Sequence, residues 1–362
     1  IEKMSKLLFE AVKKRYRENV VVPVSGGLDS RMIVASLYKI DPNLKLHLMT
    51  VGQEESSDVK IARKIADFIH QEHKVYYFDS NDDVVENRAK FAWLCDGMFS
   101  IQHSHGLGYS NNKDFVENEA KYLFSGVVGG EMFGSGFSNH TRNKNVLESI
   151  KSFFAKQTES IDIENSYYQG MPHLHPFILD NLNRRFSYSA YTYQRSYINI
   201  ILPFLDNELM DFLFSLPDEY REKQMYYKSL LKAFPDFYTK IPIESNSEPK
   251  GKDKPLKKWK KKLLHLWNKA FGIYERKGVL YDYGAYIQKP KTRQKIYKIL
   301  ESDIEIPLQK EILGYLRRYN WEENPKKMSK NADILLKLVT IKLYFVAVYY
   351  GEQKALEMAK IS

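Results

Sequence analysis

Short apolar runs alternate with amphipathic stretches through the first third of the chain. VVVPVS (Val20–Ser25) is a β-branched run that predicts a strand, and RMIVASLYKI (Arg31–Ile40) carries its apolar residues at helical spacing. LKLHLMTVG (Leu44–Gly52) predicts a second strand. In SDVKIARKIADFIHQ (Ser57–Gln71), Val59, Ile61, Ile65, Phe68 and Ile69 fall near one helical face, and Ser56, Ser57 and Asp58 supply N-cap and first-turn chemistry. HKVYYFD (His73–Asp79) predicts a third strand, DDVVENRAKFAWLC (Asp82–Cys95) a third helix and AKYLFS (Ala120–Ser125) a fourth strand. Strands alternating with helices imply an α/β fold, a parallel sheet with helices on both faces. Ligands bind such sheets at the carboxyl ends of the strands, where two loops diverge.

Beyond about Asn139 the pattern becomes mostly helical, rich in Tyr and Phe, with no internal repeat. IESNSEPKGKDKP (Ile243–Pro255) has linker composition. It sets an expected boundary near residue 245, between an ATP-binding part (1–245) and a basic, mostly helical C-terminal part (246–362). LKKWKKKLLHLWNKAFG (Leu256–Gly272) predicts a basic amphipathic helix. The longest apolar stretch, ILLKLVTIKLYFVAVYY (Ile334–Tyr350), is interrupted by Lys337 and Lys342, so it predicts a buried helix rather than a membrane span. Its expected place is against the first part.

Composition narrows this picture only a little. The 362 residues suffice for a large core, and the single cysteine, Cys95, excludes an internal disulfide framework. Cys95 is expected to be a small buried hydrophobe. IEKMSKLLFEAVKKRY (Ile1–Tyr16) is amphipathic and charged, unlike a signal peptide, and a cytoplasmic location is expected. The chain begins at Ile1 rather than Met, which leaves open whether a segment precedes it. From Lys250 onward there are 26 Lys and Arg against 12 Asp and Glu, whereas the first 249 residues carry 29 against 33. That basic end suits either a solvated lysine-rich face or an anionic partner.

Two glycine-rich segments follow predicted strands. In PVSGGLDSR (Pro23–Arg31) a strand ends at Ser25, Gly26 and Gly27 permit a tight turn, and Asp29 and Ser30 open a helix. Backbone N–H groups at a helix start make an anion cradle, Ser25 and Ser30 add hydroxyls, and Asp29 is placed to hold Mg²⁺ against phosphate oxygens. The Gly-Lys-Ser/Thr ending of a Walker A loop is absent. Arg31 is left with two readings, a phosphate contact or a neighbouring acid. The second segment, SGVVGGEMFGSG (Ser125–Gly136), contains one carboxylate, Glu131.

Ser-Gly-Gly-Leu-Asp-Ser at this junction resembles the pyrophosphate loop of the ATP pyrophosphatase superfamily. TVGQEESSDVKIARKIADFI (Thr50–Ile69), ILPFLDNELMDFLFSLPDEYR (Ile201–Arg221), YYKSLLKAFPDF (Tyr226–Phe237) and the closing ILLKLVTIKLYF are similar to segments of the asparagine synthetase family's synthetase domain. The resemblance implies an adenine nucleotide α-hydrolase-like fold and an ATP-dependent, AMP-forming amide ligase. Such an enzyme adenylates a carboxylate (by default aspartate), releases pyrophosphate and transfers ammonia or another amine. It implies ATP and Mg²⁺ as cofactors. Carried over by position, Ser25, Gly26, Gly27, Asp29 and Ser30 would hold pyrophosphate and metal. Val24, Val51 and Gly52 would line the adenosine pocket, and Ser125 and Gly126 would contact the nucleotide from the other side. Asp29 and Glu131 are the implied metal ligands and, with Lys250, the implied catalytic residues; Lys252 is a second candidate for the family's charge-stabilising lysine. Phe204, Leu205 and Leu209 are expected to pack, and Asp206 to cap a helix or pair with a cation.

The second loop departs from the family pattern, Ser-Gly-Glu-Gly-Xaa-Asp-Glu-Xaa-Phe-Gly. Ser125, Gly126, Glu131, Phe133 and Gly134 match, while Val127 stands at the glutamate and Gly130 at the aspartate. These departures leave open a ligase acylating another amine (a cyclase, or a tailoring enzyme of natural products or surface polymers) and a nucleotide-binding homologue without catalysis. An RNA-modifying relative of the superfamily is disfavoured by the Pro-Phe-Leu-Asp segment, and nucleic acid is not an expected partner. The family's glutaminase domain has no counterpart here, so a glutaminase domain or subunit elsewhere, or free ammonia, would supply nitrogen. HSH (His103–His105) and HLH (His173–His175) lack a carboxylate at ligand spacing, and no zinc site is expected. His103, His105 and Tyr109 are expected either to face the acceptor or to pack locally.

Overall fold

A computed structural model describes residues 1–77, 83–103, 120–133, 148, 177, 179–195, 198–221, 223–243, 283–319 and 332–360. The sequence boundary near residue 245, the basic helix at 256–272, Lys250, Lys252, His105, Tyr109, Gly134, His173 and His175 lie outside the described residues. The chain divides into two compact units. One comprises residues 1–50, 61–74 and 114–249, the other 51–60, 75–113 and 250–362.

The sheet has the order β3-β2-β1-β4-β5, with β1 Val20–Pro23, β2 Leu46–Gly52, β3 His73–Tyr77, β4 Tyr122–Phe124 and β5 Asn199–Ile201. The pairs β1–β2, β1–β4 and β4–β5 are parallel, and the α/β reading of the sequence holds. Val20, Val21 and Val22 are all buried, although successive side chains of a strand point to opposite faces, so β1 is covered on both sides. Helix α1 (Glu2–Lys13) buries Met4, Leu8, Ala11 and Val12 against α2 (Asp29–Ile40), and α3 (Ser57–Phe68) contributes Ile61, Ile65 and Ala66 to the same core. Ser56 accepts from the Val59 N–H at 3.3 Å, as its N-cap reading anticipated.

Strand order reverses at β1, which puts the sheet's switch point between β1 and β4. Proline sharpens that split. The Val24 N–H donates to Met49 O at 2.7 Å, so the alternate position, Pro23, faces the β4 side with no N–H to give. Pairing with β4 accordingly stops at Val21↔Leu123, while pairing with β2 runs on to Pro23↔Met49 and Thr50 Oγ1 donates to the Val24 carbonyl at 2.6 Å. On the other side, β4 stays joined to β5 through Ser125 N–H to Ile201 O at 2.9 Å. The β1–β2 pair and the β4–β5 pair therefore part where the two glycine-rich loops begin.

In the second unit the expected third helix is two short ones, α4 (Val84–Arg88) and α5 (Phe91–Leu94). The break follows from i→i+3 bonding: Ala89 N–H reaches Glu86 O and Ala92 N–H reaches Ala89 O. Elements between these and the C-terminal helices are α6 (Gly129–Met132), a π-helix (Leu179–Ser187), α7 (Ala190–Gln194), a 3₁₀ turn (Pro203–Leu205), α8 (Asn207–Phe214), α9 (Lys223–Ala233) and α10 (Pro235–Thr239), all in the first unit. The second unit continues with α11 (Tyr283–Gln288), α12 (Pro290–Leu300), α13 (Gln309–Tyr319), α14 (Ala332–Tyr350) and α15 (Glu352–Ala359). Leu335, Leu336, Val339, Leu343 and Val346 of α14 centre a core separate from that of the first unit. Lys342 sits fully buried in it, donating to Ile304 O and Gln309 Oε1 at 2.6 Å each, and burial brings its ammonium down to about 8. No helix among the described residues is long and apolar enough to cross a membrane.

Cys95 is buried here, and that burial pushes its thiol up to about 12. His103 lies 3.6 Å from Asp333, whose carboxyl is held down at about 2 by hydrogen bonds from His103 and Lys337.

Candidate active site

The first loop folds on itself before it meets any ligand. Ser30 Oγ accepts from the Ser25 N–H at 3.0 Å and lies 3.2 Å from Ser25 Oγ, which in turn accepts from the Gly27 N–H at 3.2 Å. The two hydroxyls read from the sequence as phosphate donors thus also set the loop's shape. Helix α2 starts at Asp29 after Leu28, with no side-chain cap, so its first turn keeps the unmet N–H groups that favour an anion. Tyr238 of α10 fixes the approach by donating to Leu28 O at 3.2 Å.

The second loop presses onto Asp29. A Cβ on Gly129 would lie 2.6 Å from Asp29 Cγ and 2.8 Å from Oδ1; one on Gly126 would lie 2.9 Å from Asp29 Cβ. Only glycine permits so close an approach at either position. The Gly130 N–H donates to the Asp29 carboxylate, and Tyr226 Oη of α9 donates to Oδ1 at 2.9 Å. Desolvation in these surroundings is the main cause that lifts the Asp29 carboxyl to about 7; the like charge of Glu131 adds to it, while Tyr226, Lys223 and the Gly130 N–H oppose it. The family pattern's aspartate position is therefore filled by a backbone donor.

Ahead of these glycines, Val127 is half-buried against the first unit's core and Val128 is buried with φ of 74°, in the left-handed region that β-branched residues avoid. Val128 occupies the place of the pattern's second glycine. Ser125 Oγ is 2.5 Å from Tyr191 Oη and accepts from the Val127 N–H at 3.3 Å, which pins the loop at its start. At its end Phe133 stacks on Tyr226 with ring centroids 3.9 Å apart, and Phe204 meets both edge-on. Phe204 and Leu209 are fully buried and Leu205 is packed beside them. Asp206 serves both of its expected roles, capping α8 by accepting from the Leu209 N–H and pairing with Arg15 at 2.7 Å.

Asp29, Glu131, Ser25, Gly26, Gly27, Ser30, Ser125 and Gly126 therefore lie on two adjoining loops of one unit. Val24 is buried at the end of β1, whereas Val51 and Gly52 close β2 where the chain passes into the second unit. Arg31 corrects both of its sequence readings. Its side chain is fully buried and donates to three backbone carbonyls, Phe237 and Ile241 at 3.0 Å and Pro242 at 2.6 Å, because α2 turns it away from the loop toward the end of α10. Tyr226, Tyr191 and Lys223 were not singled out from sequence. All three lie outside the glycine-rich strings, and only the adjacency of α7 and α9 in space brings them in.

A family model described as asparagine synthase matches residues 3–183, half of the chain. A putative glutamine-hydrolyzing asparagine synthetase of Methanocaldococcus jannaschii is 32% identical over 143 residues, covering 39% of this chain and 27% of that protein. Glutamine-hydrolyzing asparagine synthetases of Mesocricetus auratus and Homo sapiens are each 26% identical over 255 residues, covering 68% of this chain and 41% of theirs. The chain thus spans well under half the length of the curated relatives it matches.

Proposed function

The chain belongs to the asparagine synthase family, and from that premise we propose that it is an ATP-dependent, AMP-forming amide ligase. The observation that supports this most directly is the meeting of two glycine-rich loops on Asp29 at the sheet's switch point. In this reading a substrate carboxylate oxygen attacks the α-phosphorus of ATP. The bond to the bridging oxygen breaks, and pyrophosphate leaves with the electron pair. A nitrogen nucleophile then attacks the acyl carbon, AMP departs, and the nitrogen gives up its proton to form the amide. The loop of Ser25–Ser30 would receive the pyrophosphate, Val24, Val51 and Gly52 the adenosine, and Ser125 and Gly126 the nucleotide's other edge. Aspartate is the default carboxylate and ammonia the default nitrogen, with a glutaminase domain or subunit as its source and the cytoplasm as the setting.

Mg²⁺ suits the residues present. The charge of Glu131 adds to the cost of ionising the buried Asp29 carboxyl, a cost that a hard cation relieves, and Mg²⁺ normally takes one or two carboxylates with phosphate oxygens and waters. Bound there, the ion would offset phosphate charge. Asp29 and Glu131 would hold it, Tyr226 would keep the Asp29 carboxylate oriented, and Lys250 remains the family-derived candidate for the charge-stabilising cation.

A second reading, nucleotide binding without ligation, is favoured by Val127, which brings neither charge nor hydrogen bond to the position of an acid. Pyrophosphate release from Mg·ATP, measured with a panel of carboxylates including aspartate, separates the two. Release that needs one carboxylate and vanishes in Asp29→Ala supports the ligase. ATP binding without release from any carboxylate supports the second reading.

A further inference from the structure

We propose that His73 and Thr50 are positioning residues for the first loop. A one-directional hydrogen-bond chain, from His73 Nε2–H to Thr50 Oγ1–H to Val24 O, sets the peptide from which Ser25 enters that loop. The inference deepens the ligase reading above and rests on it for what the loop binds.

The direction of the chain follows from the protons available. Thr50 Oγ1 lies 2.6 Å from the Val24 carbonyl oxygen and 2.8 Å from His73 Nε2. A carbonyl only accepts and a hydroxyl has one proton, so that proton goes to Val24 O. The reverse arrangement would leave two oxygens 2.6 Å apart with no hydrogen between them. His73 must then donate from Nε2, which fixes the neutral tautomer and leaves Nδ1 as an acceptor. Nδ1 is buried, with no hydrogen-bond partner among the described residues. A proton there would be charged and unmatched. Desolvation, with Arg63 adding to it and Asp67 opposing, brings the imidazole down to about 4. Near neutral pH the ring is therefore a constant donor.

What the chain holds is one peptide plane. Thr50 binds its carbonyl, and on the opposite edge the Ser25 N–H donates to Ser30 Oγ at 3.0 Å. The Val24 N–H donates to Met49 O at 2.7 Å, so both backbone groups of Val24 are fastened toward β2. From that plane the loop's own ring starts: Ser25 Oγ lies 3.2 Å from Ser30 Oγ and accepts from the Gly27 N–H. The hydroxyls and amides offered to pyrophosphate take their orientation from a peptide that β2 and β3 hold in place. An unmet buried acceptor at Nδ1 destabilises the fold, and the donor on the ring's other side accounts for an imidazole there.

The test has two arms. In the first, the histidine ring nitrogens are isotopically labelled and followed by nuclear magnetic resonance from about pH 5.5 to about pH 8.5, the His73 signal being the one lost in His73→Gln. We expect a neutral ring protonated at Nε2 throughout. The opposite tautomer, or a ring that titrates in this range, overturns the inference. In the second arm, inorganic pyrophosphate with Mg²⁺ is titrated calorimetrically into the full chain well below its thermal midpoint. Thr50→Val should weaken pyrophosphate about tenfold, the worth of about one hydrogen bond, and Thr50→Ser should recover most of that loss. His73→Leu should weaken it in the same direction, whereas His73→Gln, which keeps a donor, should not; this pair carries the test if Thr50→Val fails to fold. Lowered midpoints with unchanged pyrophosphate affinity mark a structural role and overturn the inference, as does Thr50→Ser binding as weakly as Thr50→Val. If the unaltered protein binds neither pyrophosphate nor Mg·ATP, the ligase reading fails and the positioning role with it. If it binds both and only the variants or the tautomer disagree, the inference fails alone.

Discussion

Asp29 is expected to weaken the ligand-free fold, and Asp29→Asn exposes that cost. The carboxyl is lifted to about 7 from an unperturbed 3.8, chiefly by desolvation and secondarily by Glu131. A carboxyl raised in the folded state binds its proton more tightly there than in the unfolded chain. Its contribution is harmless below the unfolded value, turns unfavourable as pH rises past 3.8 and reaches its full penalty above 7. The shift is about three units, which corresponds to a penalty of about 4 kcal/mol at high pH and about half that near pH 5.5. Asparagine keeps the shape and an acceptor for Tyr226 but carries no charge. Denaturant unfolding without Mg²⁺ or nucleotide should therefore show Asp29→Asn gaining on the unaltered protein by about 2 kcal/mol between about pH 5.5 and about pH 8.5. The same variant should lose Mg·pyrophosphate binding. A stability difference that stays flat across that range would refute the account of Asp29 as a carboxylate held against its preference.

Gly129→Ala would drive a methyl to within 2.6 Å of Asp29 Cγ; a loss of about 1–3 kcal/mol in unfolding free energy is expected, and wild-type stability would mean the loops stand further apart. Val128→Gly should raise the thermal midpoint by relieving a left-handed β-branched residue, with a gain of about 1 kcal/mol after glycine's own entropy is counted, and a lower midpoint would contradict the strain. Asp206→Ala removes the α8 cap and the Arg15 partner, and should lose about 1–2 kcal/mol at neutral pH. Burial works against the Asp206 carboxylate, but hydrogen bonds and charge from Arg15, the Leu209 N–H and Lys14 outweigh it and hold its pKa low. That contribution is present above the ordinary carboxylate range and disappears as pH falls through the lowered value, so the variant and the parent should converge in acid.

The sheet and the first loop were legible because their signals are local. A β-branched run, two glycines and a helix opened by Asp-Ser name a strand, a turn and an anion-binding start without reference to anything distant. Pro23 was equally visible, yet its consequence depends on which side of β1 lacks a partner, and that requires the strand order. Arg31 misled for the same reason. Next to a phosphate loop a guanidinium invites a phosphate, whereas its direction is set by helix phase and by carbonyls some two hundred residues later. Tyr226 opens the family-like YYKSLLKAFPDF, but nothing in that string says which way its phenol points. The packing of α9 brings it to Asp29. The short breaks in the third helix were invisible because i→i+3 tightening leaves the apolar spacing almost unchanged.

The second loop gains coherence when its four unusual positions are taken together. An aspartate at Gly130 would add a third carboxylate around Asp29 and Glu131, in surroundings that already lift Asp29 to about 7. A backbone N–H there does the reverse, donating to the carboxylate and helping it stay ionised. That donation requires the loop to come very close, which Gly129 permits and Val128 accommodates by adopting a left-handed turn. Val127, anchored in the core, then leaves the acceptor side of the loop without a carboxylate. Such a loop can steady Asp29 but offers, at Val127, no side chain that could take a proton from an incoming ammonium or orient the neutral amine it becomes. If ligation proceeds here, the nitrogen must be oriented by the substrate itself or by another segment of the protein. A ligase of this kind should show turnover limited by the second step, with the acyl-adenylate accumulating in a single-turnover experiment. Stoichiometric pyrophosphate release running ahead of amide formation is the expected trace, and simultaneous appearance of both products would show that the valine imposes no such limit.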